Sequence, residues 1–254
     1  MTKTIVVALD GSPEAERALP VAGGLADRLG ADLHLMTTSF EADPVEDQAY
    51  LDAQAATCGR DDVVTTVQQF VLPAPGIIEA VDALPDAVLC LTTRGRNRLS
   101  ELLLGSTADE VLRETTSPVI VVGPRCRPTP RSSASVVVCL DGSHGSIAVL
   151  PIVGGWAGQL GLRVHLLAVV SPGVLDDPAH TWAAELMQSA TAHLERLGVP
   201  SEQHIVESNH AGDVIVACAS ALDATFVALG TRGAGVAPST VGGVAAHVIR
   251  HSTV

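Results

Sequence analysis

Residues 4–13, TIVVALDGSP, and residues 135–144, SVVVCLDGSH, share one pattern: an apolar run, then Asp-Gly-Ser. An unbroken apolar run of this kind fills a parallel strand that is covered on both faces. The Asp-Gly-Ser that follows reads as a turn, and Ser12-Pro13 offers an N-cap and a first-turn proline for a helix that Gly30 can end in a left-handed conformation. A strand that feeds a helix is the first step of an α/β sheet.

The two stretches lie 131 positions apart, and the match continues outward from them. Leu19-Pro20, Gly23-Gly24, Ala26, Leu29-Gly30 and His34-Leu35 fall on Leu150-Pro151, Gly154-Gly155, Ala157, Leu160-Gly161 and His165-Leu166. With a few residues inserted, Thr93-Arg94-Gly95 falls on Thr231-Arg232-Gly233. The chain is an internal duplication. Residues 125–135, rich in Pro and Ser and without apolar periodicity, read as a linker between a first domain at 1–124 and a second at 136–254.

Each copy alternates strand and helix signals. In the first, strands are expected over Thr4–Leu9, Leu33–Thr38, Val63–Val71, Ala87–Leu91 and Pro118–Val122. Helices are expected from Ser12 to Gly30, from an Asp43-Pro44 cap with Glu46 to Gly59, over Gly76–Ala83 and over Ser106–Glu114. The second copy repeats the second-helix cap as Asp177-Pro178 and ends that helix at Gly198. It runs out after a last helix over Val244–Arg250, so its fifth strand is missing from this chain, either naturally or because the sequence is trimmed. The expected fold is two doubly wound, five-stranded parallel sheets with right-handed crossovers, the second short of its last strand.

Composition excludes several classes. A net charge of −13 repels nucleic-acid backbones and anionic lipid surfaces, and six aromatic residues in 254 leave few rings for base stacking. Ala148–Leu162 is broken by Pro151, Gly154, Gly155 and Gly158 and is too short for a membrane span. Five scattered cysteines without a CxxC pair fit reduced thiols, and the N-terminus lacks a signal-peptide core, so a cytoplasmic location is expected. No Walker A sequence, GxSxG elbow or cysteine with a base partner stands out, so no catalytic nucleophile is visible.

Open α/β sheets bind ligands at the carboxyl ends of their strands, where strand order reverses. Two loops reach that edge. The first carries Asp10 or Asp141. The second reads Thr92-Thr93-Arg94-Gly95, nine residues, then Gly105-Ser106 in the first copy, and Gly230-Thr231-Arg232-Gly233, nine residues, then Gly243-Val244 in the second. In this spacing and position the chain resembles the universal stress proteins that bind ATP. Their loop after the fourth strand carries GxxG, nine residues, then Gly with Ser or Thr, and their first strand ends in Asp. The resemblance spans nearly the whole chain. It implies a Rossmann-like domain of the adenine nucleotide alpha hydrolase type, binding ATP with magnesium as a stress-responsive sensor or regulator. Gly95, Gly105 and Ser106 would hold phosphates, while Asp10 and Thr38 would lie along the adenosine half. Their counterparts are Asp141, Val169, Gly230, Gly233 and Gly243. An intrachain pseudo-dimer of the two domains is implied as well, with a homodimer as a further expectation. The physical basis is that glycines let backbone N–H groups and a helix dipole approach phosphate closely.

Each copy departs from that pattern at one point. Thr92 stands where the first glycine belongs, and Val244 stands where a hydroxyl belongs. Plainer readings exist for the same residues. Ser106 or Thr107 with Glu110 makes a capping box, Asp10-Gly11-Ser12 is a serviceable turn, and Arg94, Arg96, Arg98 and Arg232 suit a solvated loop. His34 and His165 read as structural strand residues. His247 and His251 share a helix face but lack a third metal ligand. Two alternatives to a nucleotide sensor follow: an interaction module whose loops no longer bind nucleotide, and a slow ATPase or self-phosphorylating protein.

Overall fold

The apolar runs that open the copies become central strands because helices cover both of their faces. In the computed structural model, which describes residues 1–40, 43–93, 104–127, 134–173, 181–231 and 241–254, the chain divides into two units, Met1–Pro124 and Arg125–Val254.

The first unit runs β1 (Thr4–Ala8), α1 (Pro13–Glu16), α2 (Ala18–Leu29), β2 (Asp32–Ser39), α3 (Val45–Thr57), β3 (Val64–Gln69), α4 (Pro73–Asp82), β4 (Ala87–Thr92), α5 (Ser106–Glu114) and β5 (Val119–Val122). Its five strands are all parallel, in the order β3-β2-β1-β4-β5. Ile5, Val6 and Val7 of central β1 are wholly buried.

The second unit runs β6 (Ser135–Cys139), α6 (His144–Ala148), α7 (Leu150–Leu160), β7 (Arg163–Val170), α8 (Trp182–Arg196), β8 (Ser201–Glu207), α9 (Ala211–Ala221), β9 (Phe226–Ala228) and α10 (Gly243–His251). Its described residues form a four-stranded parallel sheet, β8-β7-β6-β9, with no fifth strand among them, as the sequence indicates. Val136, Val138, Val164 and Leu166 pack against α7 and α8, whereas Val137, Cys139 and Leu167 face α9 and α10. Strands β6 and β7 therefore feed two cores, which is why Val136–Cys139 is apolar at every position.

Several local expectations needed correction. The helix expected from Ser12 to Gly30 is two helices, interrupted at Arg17, and its repeat is interrupted at Val149. Pro20 and Pro151, near the start of α2 and α7, have no N–H to bond the carbonyl four residues back, so the ladder cannot run through. Gly30 and Gly161 do end α2 and α7 at φ 61° and 66°. The Asp43 cap does not form, since α3 begins after Pro44 with no side-chain cap. Asp177-Pro178 lies outside the described residues. Helix α4 starts three residues early, at Pro73, because prolines suit a first turn whose N–H groups have no partner. The Ser106/Glu110 capping box is absent, Gly105 being the N-cap with no side-chain bond. Among the described residues no helix is long and apolar enough to cross a membrane.

Candidate functional site

In both sheets the chain leaves central β1 or β6 toward one neighbour and returns to β4 or β9 on its other side. The carboxyl ends of these strand pairs frame the crevice where strand order reverses.

The turns after β1 and β6 are built alike. Ser12 donates its N–H and its hydroxyl to Asp10 Oδ1 at 3.0 and 2.6 Å, and Ser143 donates its N–H to Asp141 Oδ1 at 2.9 Å. Gly11 and Gly142 take φ 78° and 76°, a left-handed conformation that suits glycine. Ser12 and Ser143 then cap α1 and α6 by accepting the N–H of Ala15 and Ser146, each at 3.2 Å. Each Asp thus shapes its turn.

The loops after β4 and β9 are pinned at their base. Gly105 N–H donates to the Thr93 carbonyl, and Gly242 N–H donates to the Thr231 carbonyl, both at 2.8 Å. Gly105 (φ −59°, ψ 147°) and Gly242 (φ −60°, ψ 144°) are the N-caps of α5 and α10. The sequence alignment sets Gly243 opposite Gly105, but the structural equivalent of Gly105 is Gly242. Gly243 then matches Ser106, and Val244 matches Thr107, so the second copy lacks both hydroxyls of the first. Gly95 and Gly233 fall outside the described residues, as do Arg94, Arg96, Arg98 and Arg232.

In the second unit these parts surround a cleft of about 530 Å³, within the range of small-molecule sites. Asp141, Val169, Gly230 and Gly243, each singled out from the sequence, all line it. The start of α10, from Gly242 to Ala245, lines it too, without a side-chain cap for the first-turn N–H groups. A helix N-terminus left open in this way favours an anion. Gly230 has a further reason to be glycine: a Cβ there would lie 2.9 Å from Gly145 C and Ser146 N, so two backbones meet at this point.

Trp182, the first residue of α8, was not foreseen. Its ring lines the cleft and faces the bare Cα of Gly142, where a Cβ would sit 3.6 Å from the indole. Cys139 lines the cleft as well, but burial pushes its thiol far up, with Cys218 and Asp141 adding to the effect, so it stays protonated and inert.

In the first unit Asp10, Thr38, Gly105 and Ser106 stand at the same carboxyl edge. Thr38 Cγ2 lies 3.1 Å from the Cβ position of Gly76, so this side chain packs under α4. Ser106 is exposed at the start of α5. Tyr50 of α3 donates to Glu16 Oε1 at 3.3 Å. Burial first, and Glu16 and Asp10 after it, push its phenol up, while a hydrogen bond with the Gly11 backbone opposes them. A recess beside Thr92, Thr93 and Arg17 holds only about 70 Å³, room for a water or two. His247 and His251 do share a face, their rings 4.2 Å apart, with Asp213 Oδ1 at 2.9 Å from His247 Nε2.

Among solved structures, a functionally unknown protein from Pseudomonas aeruginosa PAO1 matches 99% of this chain and 90% of its own length, at 18% identity and a TM-score of 0.68. A universal stress protein from Archaeoglobus fulgidus DSM 4304 matches 98% of this chain and 95% of its own, at 19% identity and a TM-score of 0.67. A universal stress protein solved in complex with cAMP matches 50% of this chain and 98% of its own, at 27% identity and a TM-score of 0.40. No curated relative matches the sequence. The profile of the universal stress protein family matches twice, over residues 1–123 and 134–254, and the chain belongs to that family as two tandem copies of its domain.

Proposed function

We propose that this chain binds an adenine nucleotide, ATP with magnesium, in the cleft of its second unit, and acts through it as a nucleotide-dependent sensor or regulator of the stress response. One observation carries the reading: Asp141, Val169, Gly230 and Gly243 line a single cleft of about 530 Å³ onto which the uncapped start of α10 opens. Polyphosphate would meet the first-turn N–H groups of α10, and the adenosine half would lie toward Val169 and Trp182. Electrostatics favour this unit over the first. Where α5 carries Asp109 and Glu110, α10 carries Ala246 and His247, so no carboxylate opposes a phosphate in its first turn.

Trp182 supplies the test. Titration with ATP, ADP, AMP and cAMP, followed by tryptophan emission in Trp156→Phe and Trp182→Phe, should show saturable quenching only where Trp182 remains. A folded sample unresponsive to millimolar nucleotide would sink the proposal. The interaction-module alternative has its own support. Both Asp side chains serve their turns, and Gly230 is required by backbone packing, so the loop glycines have a use without a ligand. It predicts no quenching and no heat with any nucleotide. An ATPase would release phosphate above the rate of a Gly243→Asp control.

A further inference from the structure

In the second unit a histidine that the duplication shares with the first has acquired two new neighbours. His34 of β2 hydrogen-bonds Thr66 Oγ1 at 2.9 Å through Nε2, and the residue paired with it across the sheet is Val64. His165 of β7 pairs in the same register with Glu202, and His204 stands where Thr66 stands in the first unit. Substitution of Val by Glu and Thr by His turns one satisfied imidazole into a cluster of three metal-ligating side chains.

Their atoms converge. His165 Nδ1 lies 3.1 Å from His204 Nε2 and 3.7 Å from Glu202 Oε2, while His204 Nε2 lies 3.9 Å from Glu202 Oε1. One ligand atom from each residue falls within 4.8 Å of the others. Ligands at about 2.0–2.1 Å around a tetrahedral zinc stand roughly 3.3 Å apart, whereas an octahedral ion of similar bond length brings them to roughly 3.0 Å. The 3.7 and 3.9 Å separations reach different oxygens of Glu202, so a tetrahedral ion held by both imidazoles takes one of these oxygens after a turn of the carboxylate, which the exposure of Glu202 allows.

Exposure is graded in the same sense. The His165 side chain is 7% exposed, His204 27% and Glu202 54%, so the inner ligand is fixed by packing and the outer ones open to solvent, giving an entry path and a place for water as fourth ligand. His165 and Glu202 sit near the amino ends of β7 and β8, at the opposite end of the sheet from the nucleotide cleft, and β8 is an edge strand.

The geometry points to a zinc site formed by His165, Glu202 and His204, which clamps edge strand β8 to β7. The nucleotide reading is not needed for it. The test is calorimetric titration of the chelator-treated full chain with zinc chloride, together with its His204→Thr and Glu202→Val variants, which restore first-unit residues at positions where that unit folds. The expected result is one zinc per chain, bound at least tenfold more weakly by each variant, and unchanged in His247→Ala. Absence of saturable zinc binding by the folded chain, or His204→Thr binding as tightly as wild type, overturns the site. Should His204→Thr fail to fold, wild type alone decides. Zinc must perturb the ring signals of His165 and His204, and cobalt must give a tetrahedral absorption spectrum; silence in both refutes the proposal.

Discussion

Gly230→Ala isolates the contact on which the second unit's cleft is built. The new Cβ would sit 2.9 Å from Gly145 C and Ser146 N and 3.3 Å from Gly145 O. All three are backbone atoms at the start of α6, so no rotamer change relieves the overlap. Ordinary carbon contacts begin near 3.5 Å, so the turn after β9 and helix α6 must separate by about 0.5 Å. Overpacking of this kind costs about 1–3 kcal/mol, which for a unit of some 130 residues corresponds to a melting temperature lower by roughly 3–15 °C. The assay is simple because both tryptophans, Trp156 and Trp182, lie in the second unit, so tryptophan emission on heating reads that unit alone. Gly243→Ala is the control. Its Cβ meets nothing within 4 Å, and alanine at a compatible backbone position stabilises by about 0.4–1 kcal/mol. A Gly230→Ala melt within 1 °C of wild type, to order of magnitude no cost at all, would refute the argument that two backbones meet there.

The other predictions concern the turn after β6, the half-buried histidine of the first unit and the fold's tolerance elsewhere. Gly142→Ala must hold an alanine at φ 76°, which costs about 1–2 kcal/mol, and should lower the same melt, whereas Gly155→Ala, inside α7 with open space around it, should raise it. His34 is the only histidine of residues 1–124, and burial pushes its pKa below 6.5. Between that lowered value and 6.5 the unfolded chain binds more protons than the folded one. The first unit should therefore lose stability as pH falls through this window and gain none from His34 above it. Ring titration by NMR checks the premise, and a His34 pKa at or above 6.5 would contradict it.

Much of the fold was legible because duplication writes every signal twice. One Asp-Gly-Ser after an apolar run is a turn, but two of them 131 residues apart, each followed by Leu-Pro, Gly-Gly and Leu-Gly at equal spacing, define a repeated unit. The interruption at Arg17 and Val149 is equally present in Pro20 and Pro151, whose missing N–H breaks the helical ladder, although the apolar pattern from Ser12 to Gly30 reads as one helix. At the site, adjacent Gly242 and Gly243 cannot be told apart by sequence. Only the hydrogen bond to Thr231 and the matching dihedrals of Gly105 and Gly242 identify the cap. Trp182 escaped notice because its contact with Gly142 joins residues forty positions apart and depends on how α8 lies over the turn. The cluster at His165 needed the register of β7 on β8, which no local pattern encodes.

The central claim is that nucleotide phosphates meet the open N-terminus of α10. Calorimetric titration of ATP-Mg into wild type, Gly243→Asp and Ser106→Asp tests it most directly. Both variants place an acid at the first position of a helix, where it favours folding and repels phosphate, and Gly243 and Ser106 are structural equivalents. The expected result is saturable binding in the wild type that Gly243→Asp abolishes and Ser106→Asp retains. Undiminished binding in Gly243→Asp, or no heat from the folded wild type at millimolar ATP-Mg, would contradict it.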